Sequence, residues 1–468
     1  MDRQLTGQHG SGDLGPPKDE VDGPCPDGPP DGDARRGIGE QLGPRRRPPY
    51  GRNPSLAAHG VRARAEIVEA ARDLFVRCGY QATTVEAIGE ATGRSGAAVY
   101  QYFSGKFQIF AIFLREIGVE LRALGERFPL VTDDRAGRRA LEDWLGQFID
   151  LHERHAGIFL SWSQVQFTEP ELGSMDQDDF QAYQTAVVDR LTRSGAHPPM
   201  PNIVPVCIMS VVEWSTFLNA RRPEPVDRVA LADALAGMLH PFLFAQDRIP
   251  QPGDREDPAV QPLPSIPLGD GMRLRRPVTQ RGVGTVQRIL QAAADRFRVN
   301  GYQGTSLNDV AVRAGVSHGS VYTYWADREA LFGTLAAEVV GALEHQRQLL
   351  SGLTSIDGGI DRWVDGWVSM LDPHGSVLYV WQHEVDSSGL EVLTERRETA
   401  LDGTVATLMA LAPDAPGDPM PLRVALRAVL TDVPYVLSTQ LGILPRSDSA
   451  GFVAGLLRAG LGLTRSGS

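Results

Sequence analysis

The feature that most constrains the fold of this 468-residue chain is an internal repeat. Residues 67–110 align without a gap on residues 289–332, so that Tyr322, for example, lies 222 positions after Tyr100. Identical residues are spread over the whole alignment, and both copies contain a Gly-Tyr-Gln triplet in the same register. Chance does not hold one register over so many positions. The sequence therefore contains the same folding unit twice.

The repeat extends beyond these residues in a weaker form. Trp144 and Trp162 match Trp363 and Trp381 at a separation of 219 positions. This separation is slightly shorter than that of the leading stretch, which indicates a small net deletion in the second copy. The duplication thus covers a whole unit and not only its leading part.

A segment rich in proline precedes each copy. Residues 1–58 combine Pro, Gly and Asp with few aliphatic residues, and such a composition cannot bury enough apolar surface to offset the entropy of ordering. Residues 248–282 contain enough prolines to prevent a helix and to favour a semi-rigid linker. The predicted order is a disordered tail over 1–58, leading domains over 59–110 and 283–332, helical domains over 111–247 and 333–468, and a linker over 248–282.

The second copy shows the local pattern more clearly than the first. Val286, Ile289, Ala293 and Phe297 recur at the spacing of one buried helical face, and Gly301 is placed to end that helix. The pattern predicts a first helix over residues 286–300.

Two shorter helices are expected to follow it. Thr305 is placed to cap the first of them, Gly315 to make a turn, and Ser317 to cap the second, which runs to about Tyr324. Two short helices joined by a tight turn form a helix-turn-helix, whose second helix fits the major groove of DNA. Each leading domain is therefore predicted to be a DNA-binding head.

At these residues the sequence resembles the TetR family of bacterial regulators. Both copies carry Gly-Tyr, a Thr, a Gly-x-Ser turn and a Tyr-x-Tyr-aromatic cluster, with a basic residue soon after it, at 79–106 and 301–328. The resemblance implies an all-α fold of two tandem units. Each unit has an N-terminal three-helix head and an α-helical body for ligand binding and dimerisation, and the two units pack as an intramolecular pseudo-dimer.

The resemblance also implies roles for individual residues. The tyrosines of the cluster would touch phosphates or thymine methyls, the basic residue would hold a phosphate, and the start of the third helix would read base edges. The alternative is that the tyrosines are core and the cations are solvated charges. The candidate DNA-binding residues are Thr83, Arg94, Ser95, Gly96, Ala97, Tyr100, Gln101, Tyr102 and Lys106 in the first copy and Thr305, Ser317, His318, Gly319, Ser320, Tyr322, Thr323, Tyr324 and Arg328 in the second.

The first copy departs from the family pattern at two positions. Arg94 replaces the aliphatic Val316, so that either Arg94 reaches DNA or the turn is loosened. Gly89 lies inside the second helix, at a cost of about 1 kcal/mol relative to Ala. The first copy is therefore expected to be the weaker reader. Because the exposed residues of the two third helices differ, we expect one chain to read an asymmetric operator.

The helical domains show no signature of a defined ligand class. By position, their last helices at about 202–220, 226–246, 421–440 and 448–463 would form a four-helix bundle between the copies. Aromatic residues could line pockets for a small apolar effector, although ordinary core is the simpler interpretation. The candidate pocket residues are Trp144, Phe148, Trp162, Trp363, Trp367 and Trp381.

Composition narrows the function without fixing it. The formal net charge of −12 does not indicate a nucleic-acid-binding protein. DNA affinity, however, depends on where the positive charge lies and not on the net charge. The sequence has no catalytic motif and no Cys/His cluster, which predicts neither an enzyme nor a metal or cofactor. It shows no signal peptide and no bilayer-spanning run, which predicts a cytoplasmic protein.

Three alternatives to a DNA-binding pseudo-dimer stay open at this stage. One is an enzyme on a helical scaffold. Another is a ligand-binding or sequestering module whose heads no longer bind DNA. The third keeps double-stranded DNA and a small-molecule effector as partners but lets the chain dimerise again, which gives four heads.

Overall fold

A computed structural model describes most of both units. The described residues are 54–159, 161–162, 177–198, 200–245, 275, 282–383, 385, 389–440 and 442–463. All regular secondary structure within these ranges is helical. The expected all-α fold is confirmed. The expected tail and the expected linker lie outside these ranges, apart from 54–58, Arg275 and Gly282.

Eight helices form the described part of the first unit. The first begins inside the segment that the sequence analysis gave to the tail. In chain order they are α1 (Pro54–Ala82), α2 (Val85–Ala91), α3 (Gly96–Val99), α4 (Lys106–Glu126), α5 (Arg135–Arg154), α6 (Gln177–Arg193), α7 (Val204–Ala220) and α8 (Arg228–Leu243).

The second unit repeats this order in its described residues. Its helices are α9 (Val283–Asn300), α10 (Leu307–Ala314), α11 (His318–Tyr324), α12 (Arg328–Ser351), α13 (Ile356–His383), α14 (Glu391–Leu411), α15 (Pro419–Tyr435) and α16 (Arg446–Gly460), with a π-helical segment over Val436–Gln440.

Glycines in the left-handed region shape both heads. Gly301 ends α9 with φ 67°, and Gly79 at the matching position of the first unit has φ 76°, which interrupts α1. Gly315 ends α10 with φ 64° and turns the chain towards α11. A residue with a Cβ atom rarely adopts such angles, so the glycines fix where the head changes direction.

The repeat also holds in the packing of the bodies. The indole Nε1 of Trp144 donates to the carbonyl of Leu124 at 2.9 Å, and that of Trp363 donates to the carbonyl of Gln346 at 3.0 Å. These two bonds join α5 to α4 and α13 to α12 at equivalent positions. A buried indole N–H needs an acceptor, and both units meet that need in the same way.

The two units meet through their last helices. Helix α7 packs against α15 and α8 packs against α16, so that four helices form one bundle. The rings of Phe242 and Phe452 meet edge to face with their centroids 5.0 Å apart. A Cβ atom on Gly460 would lie 3.1 Å from Cγ of Met238, which shows how closely α16 approaches α8. The four helices occupy the positions that the sequence analysis gave to the bundle.

The buried apolar residues of the described ranges form one large core and two smaller ones, and one of the smaller ones lies around Trp214 and Tyr379. The large core runs through both bodies and includes the second head, whereas the first head has its own core around Phe75, Phe110 and Phe113. The second head is thus packed as part of the body, and the first head is attached more independently.

None of the helices in the described ranges has both the length and the apolar character that a bilayer-crossing helix requires.

We predict that the bundle contributes much of the stability of the whole chain. Phe242→Ala removes a ring that is 1 % exposed, and the resulting cavity should lower the free energy of unfolding by about 3–5 kcal/mol. Urea denaturation followed by circular dichroism measures this change. Val229→Ala is the matched control on α8, since Val229 is 65 % exposed and its truncation should have almost no effect. Equal effects of the two variants would contradict the packing described here.

Candidate DNA interface

A serine begins the third helix of each head. The Ser95 hydroxyl accepts from the backbone N–H of Ala98 at 3.3 Å, and the Ser317 hydroxyl accepts from that of Ser320 at 3.2 Å. Both serines thereby satisfy backbone donors that a helix N-terminus leaves open. Val99 and Val321 are fully buried beneath the helices. Each third helix is thus fixed on one side and open on the other.

The open side collects most of the residues expected to read DNA. Tyr100 is 54 % exposed and Tyr322 is 39 % exposed, which is unusual for large rings in a core. The exposed candidates are Ser95, Ala97, Tyr100 and Gln101 in the first head and Ser317, His318, Gly319, Tyr322 and Thr323 in the second, whereas Gly96, Tyr102, Ser320 and Tyr324 are half-buried.

The two reading faces differ in chemistry. In the second head, the rings of His318 and Tyr322 lie edge to face with their centroids 4.6 Å apart. The first head has Gly96 and Tyr100 at these positions, so the residue one turn before its tyrosine carries no side-chain ring. The third helix also spans four residues in the first head and seven in the second. The second head therefore offers the longer and more polar surface.

The structure corrects the assignment of Thr83 and Thr305. Both are buried, and each hydroxyl donates at 2.8 Å to a carbonyl one turn earlier, that of Gly79 or Gly301. The prediction that they cap the second helix is wrong. Their burial also removes both threonines from the DNA-facing set. They stabilise the glycine turn instead.

The neighbouring residues cap the second helices. Thr84 accepts from the backbone N–H of Ala87 at 3.1 Å. Ser306 accepts from the N–H of Asp309, whose carboxylate in turn accepts from the backbone N–H of Ser306. This reciprocal pair is a capping box. The Ser-x-x-Asp spacing in the sequence is the signal that could have identified the true cap.

Lys106 and Arg328 close each head from the start of its fourth helix. The Lys106 ammonium donates to the carbonyls of Tyr80 at 2.7 Å and Thr83 at 2.9 Å. The Arg328 guanidinium lies 4.3 Å from the ring centroid of Tyr302 and donates to its carbonyl at 2.9 Å. Both cations hold the glycine turn against the fourth helix. Their phosphate contact stays a prediction.

Arg94 has a partner within the first head. Its Nη2 donates to the carboxylate of Glu66 on α1 at 2.6 Å, and its Nη1 donates to the carbonyl of Thr92 at 3.0 Å. The hydrogen bond from Arg94 is the main cause that lowers the pKa of Glu66, with Arg62 adding to it. The ion pair occupies the position where the second head has the half-buried Val316. It ties the turn to α1, and a DNA contact by Arg94 stays a prediction.

Gly89 has a steric role that explains its place inside a helix. A Cβ atom there would lie 2.9 Å from the carbonyl oxygen of Arg94 and 3.0 Å from the backbone nitrogen of Gly96. The turn of the first head thus packs directly on α2. The second head has Ala311 at the matching position and accommodates its methyl group.

We predict that Gly89→Ala displaces the third helix of the first head. The added methyl group meets backbone atoms that cannot rotate away, so the turn must shift at a cost of about 1–3 kcal/mol. A gel shift with DNA fragments that were selected for binding to the full chain should show weaker binding. Thermal unfolding should show a lower midpoint. Gly146→Ala is the control, because a Cβ atom on Gly146 meets nothing within 4 Å and alanine favours the helix. Unchanged DNA binding by Gly89→Ala would contradict the close packing of the turn.

Arg275 is described just before the first helix of the second head. The backbone N–H of Arg275 donates to the carbonyl of Tyr324 at 2.8 Å, and its side chain is exposed. This bond places a cation at the C-terminal end of α11. The sequence analysis did not single out Arg275 as a candidate contact.

The candidate pocket residues do not form one site. Trp144 and Phe148 are buried in the first body, while Trp162 packs against the core of the first head. Trp363 and Trp367 are buried in the second body, and the Nε1 of Trp367 donates to the carbonyl of Leu430 at 2.8 Å. The indole N–H groups of Trp144, Trp363 and Trp367 each donate a hydrogen bond to a backbone carbonyl, as is usual for tryptophans in a core. Trp381 differs from them, because its buried Nε1 has no acceptor within the described part of the chain.

The first body contains a buried histidine on α5. The ring of His152 stacks on Phe148 with a centroid distance of 5.2 Å and lies 4.3 Å from the ring of Phe159. Burial lowers the pKa of His152 to about 3, and the neighbouring His155 adds to this shift. The folded chain therefore holds His152 neutral at pH values where the unfolded chain protonates it.

We predict a loss of stability in acid that depends on His152. As the pH falls from about 6.5, the unfolded state binds a proton that the folded state does not, so the free energy of unfolding decreases towards pH 3. His152→Phe keeps a ring in place and should reduce this slope in urea titrations at a series of pH values. His345→Phe, at an exposed histidine on α12, should leave the slope as it is. An unchanged slope in His152→Phe would show that His152 is charged in the fold.

Comparison with known proteins places these heads among helix-turn-helix regulators. The profile of the bacterial regulatory proteins of the tetR family matches residues 67–111 and 289–335. A transcriptional repressor, AcnR of Corynebacterium efficiens, is 30% identical over 151 residues, which cover 32% of this chain and 74% of AcnR. The chain belongs to the tetR family of bacterial regulatory proteins. It is a regulator and not an enzyme.

Other similar proteins belong to the same class. The transcriptional activator FasR of Mycolicibacterium smegmatis is 27% identical over 164 residues, which cover 34% of this chain and 74% of FasR. A solved structure of a TetR-family regulator from Mesorhizobium loti has 22% identity and a TM-score of 0.29, covering 40% of this chain and 98% of its own. The solved structure of the fatty acid degradation regulator FadR of Bacillus halodurans has 18% identity and a TM-score of 0.29. The match covers 37% of this chain and 94% of the FadR chain.

Proposed function

We propose that this chain is a cytoplasmic transcriptional repressor whose two heads bind the two halves of one DNA operator. Residues 59–110 and 283–332 would be the DNA-binding heads, and residues 111–247 and 333–468 the regulatory bodies. The 30% identity to the repressor AcnR favours repression. The proposal differs from activation, which the name of FasR indicates for that protein.

The observation that carries the proposal is the presence of two different reading faces in one chain. Each face has an exposed tyrosine above a buried valine, on a helix that a serine caps. Exposed aromatic rings on so short a helix gain nothing from the core, whereas they suit contact with phosphates and thymine methyls. Because the faces carry different side chains, the two half-sites should differ in sequence.

The bundle of α7, α8, α15 and α16 supports the arrangement as a pseudo-dimer. It joins the two units as two subunits would be joined, through buried contacts such as Phe242 with Phe452. One chain would then supply both heads of a DNA-binding dimer. A small effector bound in a body would release DNA if it prefers the state in which the heads no longer match the operator.

We predict that selection of DNA fragments bound by the full chain returns two unlike half-sites about one helical turn apart. Tyr322→Ala should weaken binding about tenfold or more through one half-site, and Tyr100→Ala through the other, because each loses a contact of its own head. Quantitative gel shifts on operators with one half-site scrambled measure this.

Leu349→Ala serves as the control, since Leu349 is exposed and lies about 30 Å along α12 from Arg328. A perfect palindrome would refute the asymmetric operator. The absence of binding to any duplex at low salt would refute DNA binding and favour a sequestering module. A solution mass of twice 50.8 kDa would replace the pseudo-dimer with a four-headed assembly.

A further inference from the structure

The second body contains a buried group of charges that the proposed function has not used. It lies where α13, α14 and α15 meet and consists of Trp381, Arg397, Glu398 and Arg427. The Arg397 Cζ atom lies 4.5 Å from the ring centroid of Trp381. The Nε and Nη2 atoms of Arg397 donate to one oxygen of Glu398 at 2.9 and 2.8 Å, and Arg427 donates to its other oxygen. Glu398 thus serves two cations, and Asp402 accepts a further hydrogen bond from Arg427 at 2.9 Å.

Three donors of this group have no acceptor within the described part of the chain. They are Nε1 of Trp381, Nη1 of Arg397 and Nε of Arg427, and all three atoms are buried. Buried donors are almost always paired, because an unmade hydrogen bond costs about 1–3 kcal/mol, and more for a charged group. The indoles of Trp363 and Trp367 in the same body do have carbonyl acceptors. Among these donors, those of Arg397 and Trp381 belong to side chains in direct contact, since the guanidinium lies over the indole ring.

We propose that the second body binds a small organic acid whose carboxylate accepts hydrogen bonds from Arg397 and from the indole of Trp381. The inference rests on the proposed function, since it names the chemical class of the effector. A guanidinium with a free N–H and a neighbouring indole N–H match the acceptor oxygens of a carboxylate. Burial also lowers the pKa of Arg397, and the negative charge of the ligand would offset that cost.

Two members of the charge group, Trp381 and Arg427, differ in burial or in residue type from their matched residues in the first unit. Trp162 corresponds to Trp381 but is only half-buried and packs against the core of the first head. Cys207 corresponds to Arg427 at the separation of 220 positions that also relates Met200 to Met420. Cys207 is buried, and burial raises the pKa of its thiol, so it offers no charge there. The acid would therefore bind one unit and act asymmetrically.

The site touches the second head through one aromatic contact. The ring of Trp381 meets that of Phe332 at a centroid distance of 6.5 Å, and Phe332 meets Tyr302 at 5.2 Å. Tyr302 in turn carries Arg328, which closes the head. From the first unit, Arg221 donates to the carbonyl of Gln382, next to Trp381, at 3.0 Å. A ligand bound to Trp381 could thus shift both the second head and the contact between the two units.

We predict that carboxylates, and not their amides, stabilise the full chain. Thermal unfolding would be followed with acetate, hexanoate or benzoate, and with acetamide, hexanamide or benzamide as uncharged controls. At least one carboxylate should raise Tm by several degrees, because a ligand that binds only the folded state stabilises it. Trp381→Phe and Arg397→Gln should each raise the carboxylate concentration needed about tenfold, as expected for loss of a charge-assisted hydrogen bond.

The unliganded variants provide a second readout. Trp381→Phe and Trp363→Phe remove the same ring volume, but the N–H of Trp381 has no acceptor among the described residues, whereas that of Trp363 is bonded to Gln346. In the ligand-free chain Trp381→Phe should therefore lower Tm less than Trp363→Phe does, while Trp363→Phe keeps the carboxylate shift. The proposal is overturned if no carboxylate of the set shifts Tm, or if the shift survives in both Trp381→Phe and Arg397→Gln. The first of these results would point to an ordered water as the acceptor.

Gel shifts separate this proposal from the proposed function. A carboxylate that shifts Tm and weakens operator binding supports both. A Tm shift that depends on Arg397 in a chain that binds no DNA supports the acid site and refutes the regulator. Operator binding without any carboxylate-dependent shift refutes the acid site alone.

Discussion

The contact between the last helices of the two units is the constraint on which the rest of the structure depends. Helices α7 and α8 have few polar residues and could not remain exposed to water, so they need a partner of similar character. The second copy supplies that partner in α15 and α16. Because the partner is in the same chain, its effective concentration does not depend on the protein concentration, and the two heads are always held together.

Duplication has kept the framework of the heads and changed the surface that they present. In both heads a threonine bonds to the glycine carbonyl, a cation at the start of the fourth helix bonds to the turn, and a valine anchors the third helix. The exposed residues of the third helices, such as Gln101 and Thr323, are free of these constraints and differ. The bodies have diverged further. Arg427 of the group around Arg397 is matched in the first unit by Cys207, which carries no charge.

The helices and the heads were largely predictable, and the roles of particular polar residues were not. The 3–4 spacing of apolar residues and the glycine positions predicted α9 to α12 because these signals are local. The assignment of Thr305 as a cap was wrong by one residue, since a hydroxyl can bond forwards to an N–H or backwards to a carbonyl. The ion pair of Arg94 was not predicted, because its partner, Glu66, lies in a different helix and is not visible in the local pattern.

The sequence by itself determined that this chain is helical, that it contains two copies of one unit and that each copy begins with a helix-turn-helix head. Repetition, apolar spacing and glycine placement are properties of the order of residues, so they need no coordinates. Only the tertiary structure decided which side chains face the DNA side, that Gly89 makes room for the turn, and that Trp381 and Arg397 share a buried place. These facts depend on distances between residues far apart in the chain, which packing sets and local sequence does not record.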